Sequence, residues 1–332
     1  MLIAGDIGGT KTELAVFSSE AGPHFPLAQE RFHSADYPSL QAIVKEFLTK
    51  TKKPVDRACF AVAGPVIDGR VKTTNLPWVM EETGLAQALN LNPHSVHLIN
   101  DLEAIARSIP VLRPNDVQTI NAGEGVPHGA IAVIAPGTGL GESFLTWGDS
   151  SYVAHSSEGG HSDFAPTDER QIHLLEYMRT KFDHVSFEHV CCGIGIPHIY
   201  GYLRDVEHMA ESPDIDKLMA SASDASAVII DHAFGTQNPS KLCSATIDMF
   251  ISILASEAAN LALKVLATGG VYVAGGVVLN IMAAVQRPAF MQSFKRKGRF
   301  AELMIKIPIH VVVSMAGLTG AAAAGLDSST SF

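Results

Sequence analysis

Two short glycine-rich stretches constrain this chain more than anything else in it. Asp6-Ile7-Gly8-Gly9-Thr10 follows the apolar run Met1-Leu2-Ile3-Ala4-Gly5 and precedes Lys11 to Phe17, in which Leu14 and Val16 alternate with Glu13 and Ala15. Alternation is a strand signature, so the segment predicts strand, Gly-Gly turn, strand. Pro136-Gly137-Thr138-Gly139-Leu140-Gly141 repeats the arrangement between apolar Ile131 to Ala135 and a second strand, Glu142 to Trp147. Two such hairpins indicate an internal duplication. Glycine turns expose N–H groups and threonine adds a hydroxyl, so both turns are candidates for phosphate oxygens. Taken alone, the first turn reads equally as an ordinary Gly-Gly hairpin. Gly5 to Thr12 comes one residue from the P-loop pattern, but Thr10 stands in the place of its last glycine. A strand also follows where that motif needs a helix, which excludes a P-loop.

Leu98-Ile99-Asn100-Asp101 is the second constraint. Apolar Val96 to Ile99 runs into an amide and a carboxylate, and a helix-like segment starts at Leu102. In open α/β folds ligands sit outside the C-terminal ends of strands. A carboxylate held there can take a proton from a substrate hydroxyl. The competing reading makes Asp101 a helix N-cap.

The rest of the chain alternates strands and helices, which indicates an α/β architecture. Helices are expected from Ser39 to Lys50, Glu81 to Leu89, Asp168 to Lys181, Ile196 to Asp205, Ile215 to Ala222, Ala225 to Phe234, Cys243 to Ala267 and Ala316 to Leu326. Strands are expected at Ala58 to Ala63, Val271 to Ala274 and Ile309 to Val313. Ser328 to Phe332 reads as a frayed end. Ser157-Glu158-Gly159-Gly160-His161-Ser162-Asp163-Phe164 is dense in polar groups and glycine. Glu158 and His161 suit a small polyhydroxylated ligand, and are too few to hold zinc.

At 332 residues the chain has the length of two domains. Its net charge of -10 argues against nucleic acid as a partner. The one dense basic stretch, Lys295 to Arg299, reads as a solvated helix end. Cys59, Cys191, Cys192 and Cys243 form no CxxC pair, as expected of reduced thiols in the cytoplasm. No signal peptide is visible at the start. Phe250 to Ala267 carries Glu257, Asn260 and Lys264 at helical spacing, which marks a core helix and no membrane span.

Taken in order, Gly5 to Thr10, Asn100-Asp101, Gly137 to Gly141, Glu158 to Phe164 and Ala274-Gly275-Gly276-Val277 resemble the motifs of bacterial glucokinases, over Leu2 to about Leu326. The resemblance implies two actin-like (ribonuclease H-like) ATPase domains of α/β class flanking a cleft. The small domain would comprise 1–111 plus 312–332 and the large one 112–311. It implies ATP and magnesium as cofactors. ATP would be bound by Gly5, Asp6, Ile7, Gly8, Gly9, Thr10, Gly137, Thr138 and Gly139, with Gly193, Gly275 and Gly276 near the adenosine. Asp6 would anchor the magnesium ion through water. Glucose would be held by Asn75, Asn100, Asp101, Glu158, His161 and Glu188, with Asp101 as the general base that deprotonates the sugar 6-hydroxyl. Related enzymes are often dimers, so a homodimer is an expectation of the resemblance alone.

The chain departs from that pattern at Lys11, where Asn is usual, and at Cys191-Cys192-Gly193, where a Ser-Gly pair is common. The broader repressor, open-reading-frame and kinase family often has Lys at the first position. That family also carries a cysteine-rich zinc motif, which this chain lacks. The expectation is therefore ATP-dependent phosphorylation of D-glucose to glucose 6-phosphate. The alternatives are a kinase for mannose or an N-acylhexosamine, and a sugar-sensing regulator without turnover.

Overall fold

The computed structural model describes residues 1–73, 76–235 and 239–327. Asn75, one of the expected sugar ligands, lies outside the described residues, as does the expected frayed end at Ser328 to Phe332. The chain divides into two compact units, Met1–Asp116 with Ser314–Phe332, and Val117–Val313.

The first unit contains β1 (Leu2–Ile7), β2 (Lys11–Phe17), β3 (Ala28–His33), β4 (Arg57–Val62), β5 (Arg70–Lys72), β6 (Val79–Glu81) and β7 (Val96–Asn100). Its main sheet has the order β3-β2-β1-β4-β7, and β5 pairs with β6 apart from it. The first three strands are antiparallel neighbours, whereas β1, β4 and β7 run parallel. A parallel core strand is covered on both faces and so reads as a nearly continuous apolar run. Ile3, Leu14 and Phe60 pack towards α1 (Leu40–Thr51), through Ile43, Val44 and Phe47. Leu2, Ala4, Ala15 and Ala61 pack on the opposite face against Leu318, Ala321 and Ala322 of the C-terminal helix Ala316–Leu326. At the sheet edge, Glu82 of α2 (Glu82–Leu89) accepts a hydrogen bond from Leu98 N at 2.8 Å. That covers one of the backbone donors an edge strand exposes. α3 (Asp101–Ser108) follows β7 directly and packs against the C-terminal helix. A Cβ on Gly320 would collide with the Ala104 carbonyl, so the small residues of that helix serve close approach within its own unit.

The second unit contains β8 (Val117–Asn121), β9 (Ile131–Pro136), β10 (Leu140–Trp147), β11 (Tyr152–Ser157), β12 (Gly270–Val273) and β13 (Ile309–Val312). Its sheet runs β11-β10-β9-β12-β13-β8. From β9 onwards this repeats the first sheet: third, second, first, fourth, fifth, with a leading antiparallel meander and a parallel remainder. The duplication suggested by the two hairpins is therefore present in the topology. β8 is an added antiparallel edge.

Helices α4 (Glu169–Arg179), α5 (Gly195–Asp205), α6 (Pro213–Ser221), α7 (Ala225–Phe234) and α8 (Lys241–Val265) belong to this unit. α8 has the length and apolarity to cross a membrane, but 78% of its most apolar stretch is buried. Its polar stripe is bonded internally. Glu257 accepts from Asn260 Nδ2 at 2.8 Å and from Lys264 Nζ at 3.4 Å. The basic stretch at Lys295 to Arg299 departs from the expected solvated helix end at one residue. Lys297 is half-buried and donates to Asn260 Oδ1 and to Ser256 Oγ on α8.

Candidate active site

In the first unit, the β1–β2 hairpin pairs Asp6 with Glu13 and Ile7 with Thr12, and Gly8 N donates to Lys11 O at 2.9 Å to close the turn. Gly5 and Ile7 are buried, so they can offer a ligand only backbone. Gly9 is partly exposed and Thr10 exposed. Ser34, which no motif singles out, fastens this turn. Its Oγ donates to Gly8 O at 2.8 Å and lies 3.0 Å from Thr12 Oγ1, and its N–H donates to Thr10 O.

Asp6 is half-buried, with its carboxyl group against Gly317 at the start of the C-terminal helix. Burial pushes its pKa up to about 6, and the negative charges of Asp101 and Glu13 add to the rise while Lys11 opposes it. Asp6 and Asp101 thus sit close enough to repel each other. Among the described residues no three His, Cys, Asp or Glu side chains converge as a metal cage. Magnesium needs none, because it takes one or two carboxylates, waters and substrate phosphates. Asp6, on the strand that leads into the Gly8 to Thr10 turn, fits magnesium arriving with a nucleotide.

At the end of β7 the structure assigns the cap. Asn100, not Asp101, is the N-cap of α3, and its Oδ1 accepts from Leu102 N at 2.8 Å and Glu103 N at 3.3 Å. Asn100 Nδ2 donates to Gly64 O at 3.0 Å, which stitches the ends of β4 and β7. One amide hydrogen of Asn100 is then left for a ligand. Asp101 is the first helical residue, and its Oδ1 accepts from Leu102 N at 2.9 Å. Negative charge is favoured at that end of a helix.

In the second unit, Gly137 N donates to Gly139 O at 2.9 Å, and Gly193 N donates to Gly137 O at 2.8 Å. Ser226 Oγ in turn donates to Gly193 O. A cavity of about 760 Å³ opens beside this turn, lined by Gly137, Thr138, Gly193, Ile194, Pro197, Asp224, Ser226, Ile230, Gly276, Val277 and Asn280. Its volume is that of a small-molecule site, with apolar walls and a few polar groups. Gly275 stands behind it. Its φ is +95°, and a Cβ would lie 2.5 Å from Pro136 O, so the exit of β12 can close on β9 only as glycine. Asp224, Ser226 and Asn280 were not legible as site residues. Asp224 caps α7 by accepting from Ser226 N and Ala227 N, so its only sequence signal was a helix start.

The turn at Gly159–His161 is zipped to the following segment, with Glu188 N donating to Gly160 O at 2.8 Å and Phe187 N to Ser162 O at 3.0 Å. This brings Glu188 beside His161, 3.9 Å from Oε1 to Nε2. The other carboxylate oxygen of Glu188 accepts from Leu140 N at 2.9 Å, so Glu188 also anchors the second hairpin. Glu158 and His161 are exposed and open to a ligand.

The sequence matches the glucokinase family model over residues 3–328. It is 40% identical to the glucokinase of Nostoc punctiforme, across 97% of this chain and 98% of that one. The crystal structure of a glucokinase from an Antarctic psychrotroph superposes with a TM-score of 0.82 at 32% identity, covering 97% and 98% of the two chains. A glucokinase of the repressor, open-reading-frame and kinase family from Streptomyces griseus, solved with glucose and AMPPNP, shares the fold at a TM-score of 0.63 and 17% identity, covering 97% of each chain.

Proposed function

The chain belongs to the glucokinase family and phosphorylates glucose with ATP as donor, and from that premise we propose how its residues divide the reaction. Asp101 takes the proton of the glucose 6-hydroxyl as that oxygen attacks the γ-phosphorus, and the bond to the ADP oxygen breaks. General-base help of this kind contributes about 100- to 10,000-fold. The observation that carries the assignment is the hydrogen bond from Leu102 N, which fixes the Asp101 carboxylate at the mouth of β7. Asn100 supports it by capping the same helix and offers one amide hydrogen to the sugar. Glu158, His161 and Glu188 recognise further hydroxyls, and Asn75 belongs to the same set by the family pattern. An analogue lacking one of those hydroxyls would cover its polar partner without bonding it, which gives specificity.

The turns at Gly8 to Thr10 and Gly137 to Gly139 bind phosphate oxygens through backbone N–H groups and threonine hydroxyls. Donors fixed in advance stabilise charge as it develops. The cavity of about 760 Å³ holds the adenosine, with Ile194 and Val277 against the ring and Asp224 or Asn280 near the ribose. Asp6 would hold a magnesium ion through water, and the ion would supply positive charge against the ATP phosphates. We place the protein in the cytoplasm as a homodimer, for which the mass in solution would be twice 35.3 kDa; a mass of one chain contradicts the dimer.

The test is ADP release with magnesium-ATP across a panel of hexoses. Glucose should stimulate release most. If no sugar stimulates it, the catalytic reading fails. If mannose or an N-acylhexosamine outpaces glucose, the enzyme is a kinase for that sugar.

A further inference from the structure

We propose that Glu142 and Glu257 share one proton as a buried acid–carboxylate pair, and that Glu142 is the positioning residue on which the Glu158–His161 turn is seated. The proposal rests on the assignment of Glu158 and His161 to the sugar.

Glu142 is 1% exposed and Glu257 0%. Glu142 lies in β10, opposite Ser157 of β11 and Ile134 of β9. Its carboxyl group runs under the turn. A Cβ on Gly159 would collide with Oε2 and stand 2.9 Å from Cδ, and Gly159 N is itself held by Ser157 Oγ at 2.9 Å. The side chain therefore touches backbone between Glu158 and His161, which explains why this position is glycine. Neither oxygen of Glu142 receives a proton from an N–H or hydroxyl of another described group. Its carboxyl group lies within hydrogen-bonding reach of Glu257.

Two carboxylates cannot bond to each other, whereas a carboxylic acid can donate to a carboxylate. Glu257 is the partner that keeps the charge, because Asn260 and Lys264 donate to it. The proton accordingly resides on Glu142. Burial, then the charge of Glu257, push Glu142 up to about 8, against the pull of Lys264. The other groups facing the pair are the buried Cys191 thiol, which both carboxyls push up, and Lys297 beside Asn260. Glu158 and His161 ride on the turn itself, and β9 places the apolar Ile134 opposite Glu142. When Glu142 loses its proton, two buried anions repel. Asn260 and Lys264 fix the Glu257 carboxylate from within α8, and Lys297 ties that helix to the 295–299 segment, so the glycine turn is the side that yields.

The expected result is a KM for glucose that rises at least about threefold between pH 7 and pH 9.5 while the KM for ATP stays level. Glu142→Gln keeps a donor towards Glu257 and cannot ionise. It should keep the wild-type glucose KM at pH 7 and abolish the alkaline rise. An unchanged rise in folded Glu142→Gln overturns the proposal. Should that variant not fold, the infrared spectrum of the wild-type protein decides. A protonated-carboxyl band at pH 7 that vanishes by pH 10 supports the pair, and its absence at pH 7 overturns it. Glu158→Gln distinguishes a failure of the sugar assignment from a failure of the shared proton. If Glu158→Gln leaves the glucose KM unchanged, the sugar assignment fails. If it raises that KM while Glu142→Gln keeps the alkaline rise, only the shared proton fails.

Discussion

At the residue scale, Asp6 shows how a site can work against its own fold. Its folded pKa of about 6 stands above the ordinary carboxylate value of 3.8. The stability it contributes is therefore fully present below pH 3.8 and lost as pH rises through about 6. Asp6→Asn removes that penalty. We expect its melting temperature to exceed the wild-type value at pH 8 and the difference to close towards pH 4, by calorimetry. The same variant should need more magnesium for half-maximal turnover. A melting temperature equal to wild type at both pH values contradicts the rise that burial, and then the charge of Asp101, give the Asp6 carboxyl group. The sequence exposed these carboxylates because each follows an apolar strand. It did not show that Asn100 is the cap of α3, because Asn and Asp at adjacent positions serve equally well by type and only backbone geometry separates them.

At the element scale, the strands legible in the sequence are those buried on both faces, such as Ile131–Pro136, where every residue is buried. Of the strands missed, Ala28–His33, Val117–Asn121 and Tyr152–Ser157 lie at sheet edges and carry too few apolar residues to form a run, while Arg70–Lys72 and Val79–Glu81 are too short to show an alternation. Ser34 was illegible for a related reason. It meets Gly8 across 26 residues of chain, and nothing local marks that meeting. Ser34→Ala leaves Gly8 O and Thr12 Oγ1 without this partner in a buried place, which should destabilise by about 1–3 kcal/mol. A loosened first turn should also raise the KM for ATP more than the KM for glucose. Equal changes in both would mean that Ser34 acts on the unit as a whole and not on the turn.

At the scale of the whole molecule, the repeated strand order explains why two unremarkable Gly/Thr turns together carried so much of the reading. Each turn joins the first two strands of the repeated five-strand pattern, so the same local chemistry arises from the same topological position in each unit. Candidate chemistry could be picked out where it is local, as at the two turns, at Asn100-Asp101 and at Glu158 to His161. It was hidden where distant segments meet, as in the cavity lined by Asp224 and Asn280 and in the Glu142–Glu257 pair. The central claim is that this chain is a sugar kinase with Asp101 as its base. The most direct test is Asp101→Asn, with glucose affinity measured by calorimetry and turnover by ADP release on the same preparation. Glucose affinity should stay within an order of magnitude of wild type while turnover falls by roughly 100-fold or more. Near-normal turnover in Asp101→Asn would contradict that claim.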